Sequence, residues 1–230
     1  MPSSARGTTW VVPDLWGPEN PALQMVKSLR PAPDASALAG RLLVLVTGVP
    51  GTGKSTVADA AGRQTGAAVL AHDWAMSGLC PYPELQQALQ VMDPFGHRVV
   101  GWSILLALAR AELRRGRAVV LDGVARGEEI ALCRQLADEE GARMVLVATG
   151  CSDADLHRRR IEGRQRLIPR WYELSWDGVA RARSGWEAPV AADLALDAAR
   201  PWEENAAQLR EVIYAAARAG HPSNGGVARS

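Results

Sequence analysis

The residues best suited to chemistry are contiguous. Gly48, Val49, Pro50, Gly51, Thr52, Gly53, Lys54, Ser55 and Thr56 match the phosphate-binding pattern G-x-x-x-x-G-K-[ST] in full. Glycines let the main chain curl round an anion with its N–H groups turned inward, and the N-terminus of a following helix adds its positive dipole end. Lys54 is expected to reach the β- and γ-phosphates of a nucleoside triphosphate, and the Ser55 hydroxyl to ligate Mg²⁺. Lys27 and Lys54 are the two lysines among 26 basic residues, so the lone ammonium of this stretch falls where the pattern needs one. A glycine-rich turn with a solvated lysine is the plainer alternative, and the completeness of the match outweighs it.

A phosphate loop does not name a reaction. Neither lysine stands in an N-K-x-D guanine signature, an L-S-G-G-Q-type signature is absent, and Gly51–Thr56 does not complete G-x-G-x-x-G. The chain beyond the loop is short for a motor with a helical lid domain. A compact phosphoryl-transfer kinase or a nucleotide-dependent switch remains.

These groups need elements to hold them. Leu42–Thr47 is a continuous apolar, β-type run that suits a strand buried on both faces, and Lys54–Gln64 reads as the helix after the loop. Further strands are expected at Ala67–Ala71, Ala118–Leu121, Met144–Ala148 and Asp193–Leu196. Helices are expected at Val99–Arg115, Gly127–Glu140, Ser152–Gly163 and Trp202–Ala219, with Ser152 as N-cap of the third of these. Strands separated by helices predict an α/β fold with a parallel sheet. Asp122 ends the run Ala118–Leu121, where a carboxylate can hold the water shell of Mg²⁺ beside Ser55; a turn residue before Gly123 is the bland reading.

Composition bounds the rest. The 230 residues are 47% hydrophobic and 22% charged with a net charge of +1, which favours neither a broad nucleic-acid footprint nor a polybasic membrane anchor. Cys80, Cys133 and Cys151 form no C-x-x-C pair, so a reduced, cytoplasmic setting is expected. No apolar run approaches bilayer length and no signal peptide stands at the start. Residues 1–40 read as a Pro-rich arm with one short helix at Pro21–Arg30, residues 41–220 as the folded domain, and residues 221–230 as a disordered tail.

From Arg41 to Ala219 the chain resembles small P-loop kinases of the AAA_33, zeta-toxin and chloramphenicol phosphotransferase-like type. The resemblance is carried by Leu-Val-Thr-Gly-Val-Pro-Gly-Thr-Gly-Lys-Ser-Thr, His72-Asp73 after the second strand, Ala-Val-Val-Leu-Asp-Gly at 118–123, and Cys-Ser-x4-Leu-x3-Arg-Ile-x2-Arg at 151–164. It implies a P-loop NTPase three-layer sandwich with a parallel, five-stranded sheet and a helical lid at about 152–186. It further implies ATP and Mg²⁺ as cofactors and an ATP-dependent transfer of phosphoryl to a hydroxyl of a small molecule such as an antibiotic, a sugar or a nucleoside. Asp73 then orients and deprotonates the acceptor, which suits a carboxylate near the metal. Arg160 and Arg164 are the lid arginines that match the motif, with Arg166 a third candidate; Arg158 and Arg159 read as solvated. Arg200 falls where related kinases hold the adenine edge. Arg126 is a weaker candidate for reaching the acceptor.

Trp74-Ala75-Met76 lacks the arginine often found after the carboxylate in such kinases, which tilts the acceptor toward an uncharged, apolar one. Trp74 and Trp102 flank the expected acceptor region, and Trp171, Trp176 and Trp186 cluster behind the lid. Single tryptophans are more often packing than platforms, though the group together could wall an acceptor. His72 and His97 are expected to be structural. Two rival readings remain: a polynucleotide 5′-kinase, which needs a basic channel, and a regulatory switch that docks through the arm.

Overall fold

The computed structural model describes residues 41–92, 96–184 and 186–219. The expected arm at 1–40 and the tail at 221–230 lie outside the described residues.

Five parallel strands form one sheet in the order β2-β3-β1-β4-β5: β1 (Leu42–Gly48), β2 (Ala68–Ala71), β3 (Val119–Asp122), β4 (Arg143–Gly150) and β5 (Leu194–Asp197). Strand β1 is buried along its whole length, as its unbroken apolar run requires. Its side chains alternate between two cores. Leu42, Val44 and Val46 pack with Val57, Leu209 and Ile213, from helices α1 (Lys54–Thr65) and α8 (Trp202–Ala219). Leu43 and Leu45 pack on the opposite face with Leu105, Ala109 and Leu136, from α4 (Gly96–Arg114) and α5 (Gly127–Glu139). The result is the expected three-layer sandwich.

Helices α2 (His72–Ser77), α3 (Pro83–Met92) and α7 (Trp176–Ser184) were not expected; they are short segments beside prolines and loops. Helix α6 (Ala154–Glu162) begins later than its sequence suggests. Asp153, not Ser152, is the N-cap, because its carboxylate accepts the Leu156 N–H and a carboxylate also favours the positive end of the dipole. Helix α4 starts at Gly96 rather than Val99. Among the described residues no helix is long and apolar enough to cross a membrane.

Register decides what meets at the carboxyl edge of the sheet. Val46 and Ala71 both pair with Asp122, Gly48 pairs with Thr149, and Gly150 pairs with Asp197. The loops after β2, β3, β1, β4 and β5 therefore leave from one line. Ligands of open α/β sheets bind along such an edge.

Candidate active site

The loop between β1 and α1 is held from below and from the side. Thr52 Oγ1 donates to the Val49 carbonyl at 2.8 Å and lies 2.7 Å from Thr149 Oγ1, which in turn donates to the Thr47 carbonyl at 3.2 Å. Gly48 must lack a side chain, because a Cβ there would stand 2.3 Å from the Thr149 carbonyl oxygen. Gly51 must lack one too, since its Cβ would meet Ile161 at 2.6 Å and the His157 ring at 3.0 Å. His157 itself is buried, and its Nε2–H donates to the Pro50 carbonyl at 2.7 Å. Its ring meets Trp176 edge to face at 5.3 Å. Sequence reasoning passed over His157; a histidine among the arginines of a polar helix is a signal only once α6 is seen to lie on the loop.

A cleft of about 1060 Å³ runs along the sheet edge. It is lined by the loop from Pro50 to Thr56, by Asp73 after β2, and by Asp122 at the end of β3. Arg160, Arg164, Arg166 and Arg200 also face it. Within the phosphate loop Gly48 and Val49 do not line it; Asp73, Asp122, Arg160, Arg164 and Arg200, all proposed from the sequence, open on this one cavity. Arg158 instead pairs with Glu162 at 2.8 Å, one turn along α6, and neither it nor Arg159 lines the cleft.

Five charges crowd the cleft floor. Lys54 Nζ donates to the Val49 carbonyl at 3.0 Å, folded over the loop. Burial lowers its pKa, the charges of Asp122 and Asp73 oppose this, and Arg164 and Arg166 reinforce it. Burial pushes Asp122 above the usual carboxylate value, against the pull of Lys54 and a hydrogen bond from Ser55. Burial would also raise Asp73, but the His72 hydrogen bond and the charges of Arg166, His72 and Lys54 hold it below its ordinary value. Three cations against two carboxylates leave room for phosphate charge.

Arg166 corrects one expectation. No arginine follows Asp73 in sequence, yet one reaches it in space: Arg166 Nη1 donates to Asp73 Oδ2 at 2.5 Å across 93 positions of chain. The guanidinium is nearly buried, and it also binds Glu173 Oε2 at 3.3 Å and the Tyr172 carbonyl. The aromatic group is divided. Trp74, Trp102 and Trp171 line the cleft with His72 and His97, whereas Trp176 packs on His157 and Trp186 donates to the Ala125 carbonyl at 3.2 Å. Arg126 lines the cleft as well. Beside Arg200, which pairs with Glu204 at 2.8 Å, Trp202 and Asn205 face the β5 end; neither was singled out from the sequence.

The donor set fits Mg²⁺. A hydroxyl and a buried carboxylate in mutual contact, Ser55 and Asp122, are hard oxygen ligands, and no larger His/Cys/Asp/Glu cluster exists among the described residues. Mg²⁺ characteristically takes one or two protein oxygens and completes its shell with water and substrate phosphate.

The family model AAA_33, an AAA domain, matches residues 43–170. No curated protein matches the chain significantly. Among solved structures it is similar to a gluconokinase from Sinorhizobium meliloti 1021, at 17% identity and a TM-score of 0.57 over 78% of this chain and 95% of that one. A sugar kinase from Janibacter sp. HTCC2649 aligns at 18% identity and a TM-score of 0.53, over 80% of this chain and 99% of that one. A candidate kinase from Chloroflexus aurantiacus aligns at 19% identity and a TM-score of 0.57, over 78% and 97%. At such identities the likeness concerns the fold.

Proposed function

The chain belongs to the AAA_33 family, and from that premise we propose that it is an ATP-dependent kinase that phosphorylates a hydroxyl of a small molecule. The observation that carries this reading is one cleft lined by the phosphate loop, two carboxylates and three arginines from the segment 160–166. The triphosphate lies on Gly48–Thr56, with the base toward Arg200 and Trp202 at the β5 end. Ser55 and Asp122 would hold Mg²⁺, which when bound would neutralise phosphate charge. Lys54, Arg160 and Arg164 stabilise the charge spread over the phosphoryl group in transit. Asp73 orients the acceptor hydroxyl: its oxygen forms the new bond to γ-phosphorus, the bond to the ADP oxygen breaks, and the proton passes to Asp73 and on to water. The gluconokinase and sugar kinase among the similar structures make a polyol-sized acceptor one option within this class.

The test is acceptor-dependent ADP release over hydroxylated metabolites, antibiotics and 5′-OH oligonucleotides, with Lys54→Ala alongside. The variant should lose turnover by about 10²–10³-fold or more, the scale for removing a preorganised charge donor. Undiminished turnover would refute the proposal.

A further inference from the structure

The acceptor end of the cleft is walled by rings from separate parts of the chain: Trp74 on α2, Trp102 on α4, and Trp171 and Tyr172 on the loop between α6 and α7. Three of them contact neighbouring rings. Trp171 lies 4.9 Å from Tyr172 and 6.3 Å, edge on, from His97, while Trp102 lies 6.1 Å from His72. Two rings are presented rather than packed away: Trp74 is 42% exposed and Tyr172 is 62% exposed. Both flank Asp73. Trp74 is its chain neighbour, and the Tyr172 carbonyl shares the Arg166 guanidinium with Asp73.

The loop that carries Trp171 and Tyr172 is fixed. Arg166 ties it to Asp73, and the Arg166 N–H donates to Glu173 Oε1 at 2.9 Å. Leu167 and Arg170 hold left-handed backbone at φ 53° and 60°. Side-chain-bearing residues keep such backbone only where their surroundings over-determine it. The rings are thus a preorganised wall, and preorganisation lowers the entropy cost of binding.

Two arginines on this side are already paired. Arg166 is engaged by Asp73, Glu173 and the Tyr172 carbonyl, and Arg98 by Glu129 at 2.7 Å. An anionic acceptor held by either of these two would compete with its pairs. A flat apolar group gains from stacking on the exposed Trp74 and Tyr172 rings.

Resting on the kinase reading above, we infer that the acceptor is an uncharged aromatic alcohol whose ring stacks on the Trp74–Trp171–Tyr172 wall while its hydroxyl meets Asp73.

The experiment gives the full chain Mg·ATP and three sets of probes. The first is 2-phenylethanol and 2-naphthylmethanol, the second is gluconate and myo-inositol, and the third is a 5′-OH oligonucleotide. Phosphomonoester product is read by mass spectrometry. The expected result is a kcat/KM for the aryl alcohols at least tenfold above the other sets. Tyr172→Ala and, as a variant off the pinned loop, Trp74→Leu should each raise the aryl-alcohol KM severalfold while kcat falls less. Product from the polyols or the oligonucleotide with the aryl alcohols inert overturns the inference and leaves the kinase reading standing. Aryl-alcohol turnover whose KM neither variant moves also overturns it. No product from any set, with nucleotide still bound, overturns the inference and the kinase reading together.

Discussion

Asp73 stays ionised further into acid than an ordinary carboxylate, because the His72 hydrogen bond and the Arg166 charge outweigh the upward push of burial. With its folded pKa below the unfolded one, its contribution to stability is present above about pH 4 and is lost as pH falls through the lowered value. A carboxylate held below its ordinary value is a weaker base than usual, and its contacts with His72 and Arg166 fix its orientation toward the acceptor. Asp73→Asn should therefore lower turnover by about 10²–10⁴-fold at every pH above about 5, a parallel drop and not the removal of an acid limb. Paired pH–rate profiles read this directly, and ATP affinity should stay within a few-fold. Loss of ATP binding would place Asp73 with the nucleotide instead. The carboxylate was legible in the sequence from its place after a strand. Its partner was not, because 93 positions separate Arg166 from it and no local pattern encodes that approach.

At the scale of elements, α6 works as a clamp on the phosphate loop. Gly51 lets the helix close, and the His157–Pro50 hydrogen bond fastens it. His157→Ala leaves the Pro50 carbonyl without this donor and opens a hole against Trp176, a loss of about 1–3 kcal/mol. The expected signature is a smaller thermal shift on adding Mg·ATP analogue than in the parent chain, with His157→Gln recovering part of it by restoring a donor. Equal shifts in parent and alanine variant would show that the clamp does not shape the loop. Gly51→Ala should give a larger defect of the same kind, since its Cβ would stand 2.6 Å from Ile161. The strands and the long helices were legible because apolar runs and glycine stops are local signals. The short helices α2 and α7 were not legible, and the α6 boundary moved by one residue because two adjacent side chains, Ser152 and Asp153, can both cap and Asp153 does.

For the molecule as a whole, the site is only as firm as the two cores that hold the sheet edge in line. Leu105 is fully buried on the face shared by α4 and α5, directly behind Trp102 in the chain's helical stripe. Leu105→Ala should cost about 2–5 kcal/mol through lost transfer energy and the cavity left behind. Denaturant unfolding checks this, and the acceptor KM should rise as the Trp102 support loosens. An unchanged midpoint would mean that the face is not a cooperative part of the core. The amino-acid sequence by itself determined the phosphate loop, the parallel α/β pattern and the family, because these rest on contiguous motifs and on periodicities that bury one face of each element. Tertiary structure alone decided that Arg166 meets Asp73, that His157 fastens the loop, and that three of the five candidate tryptophans face the cleft while two pack elsewhere. Those outcomes follow from strand order and register, which bring distant loops to one edge of the sheet.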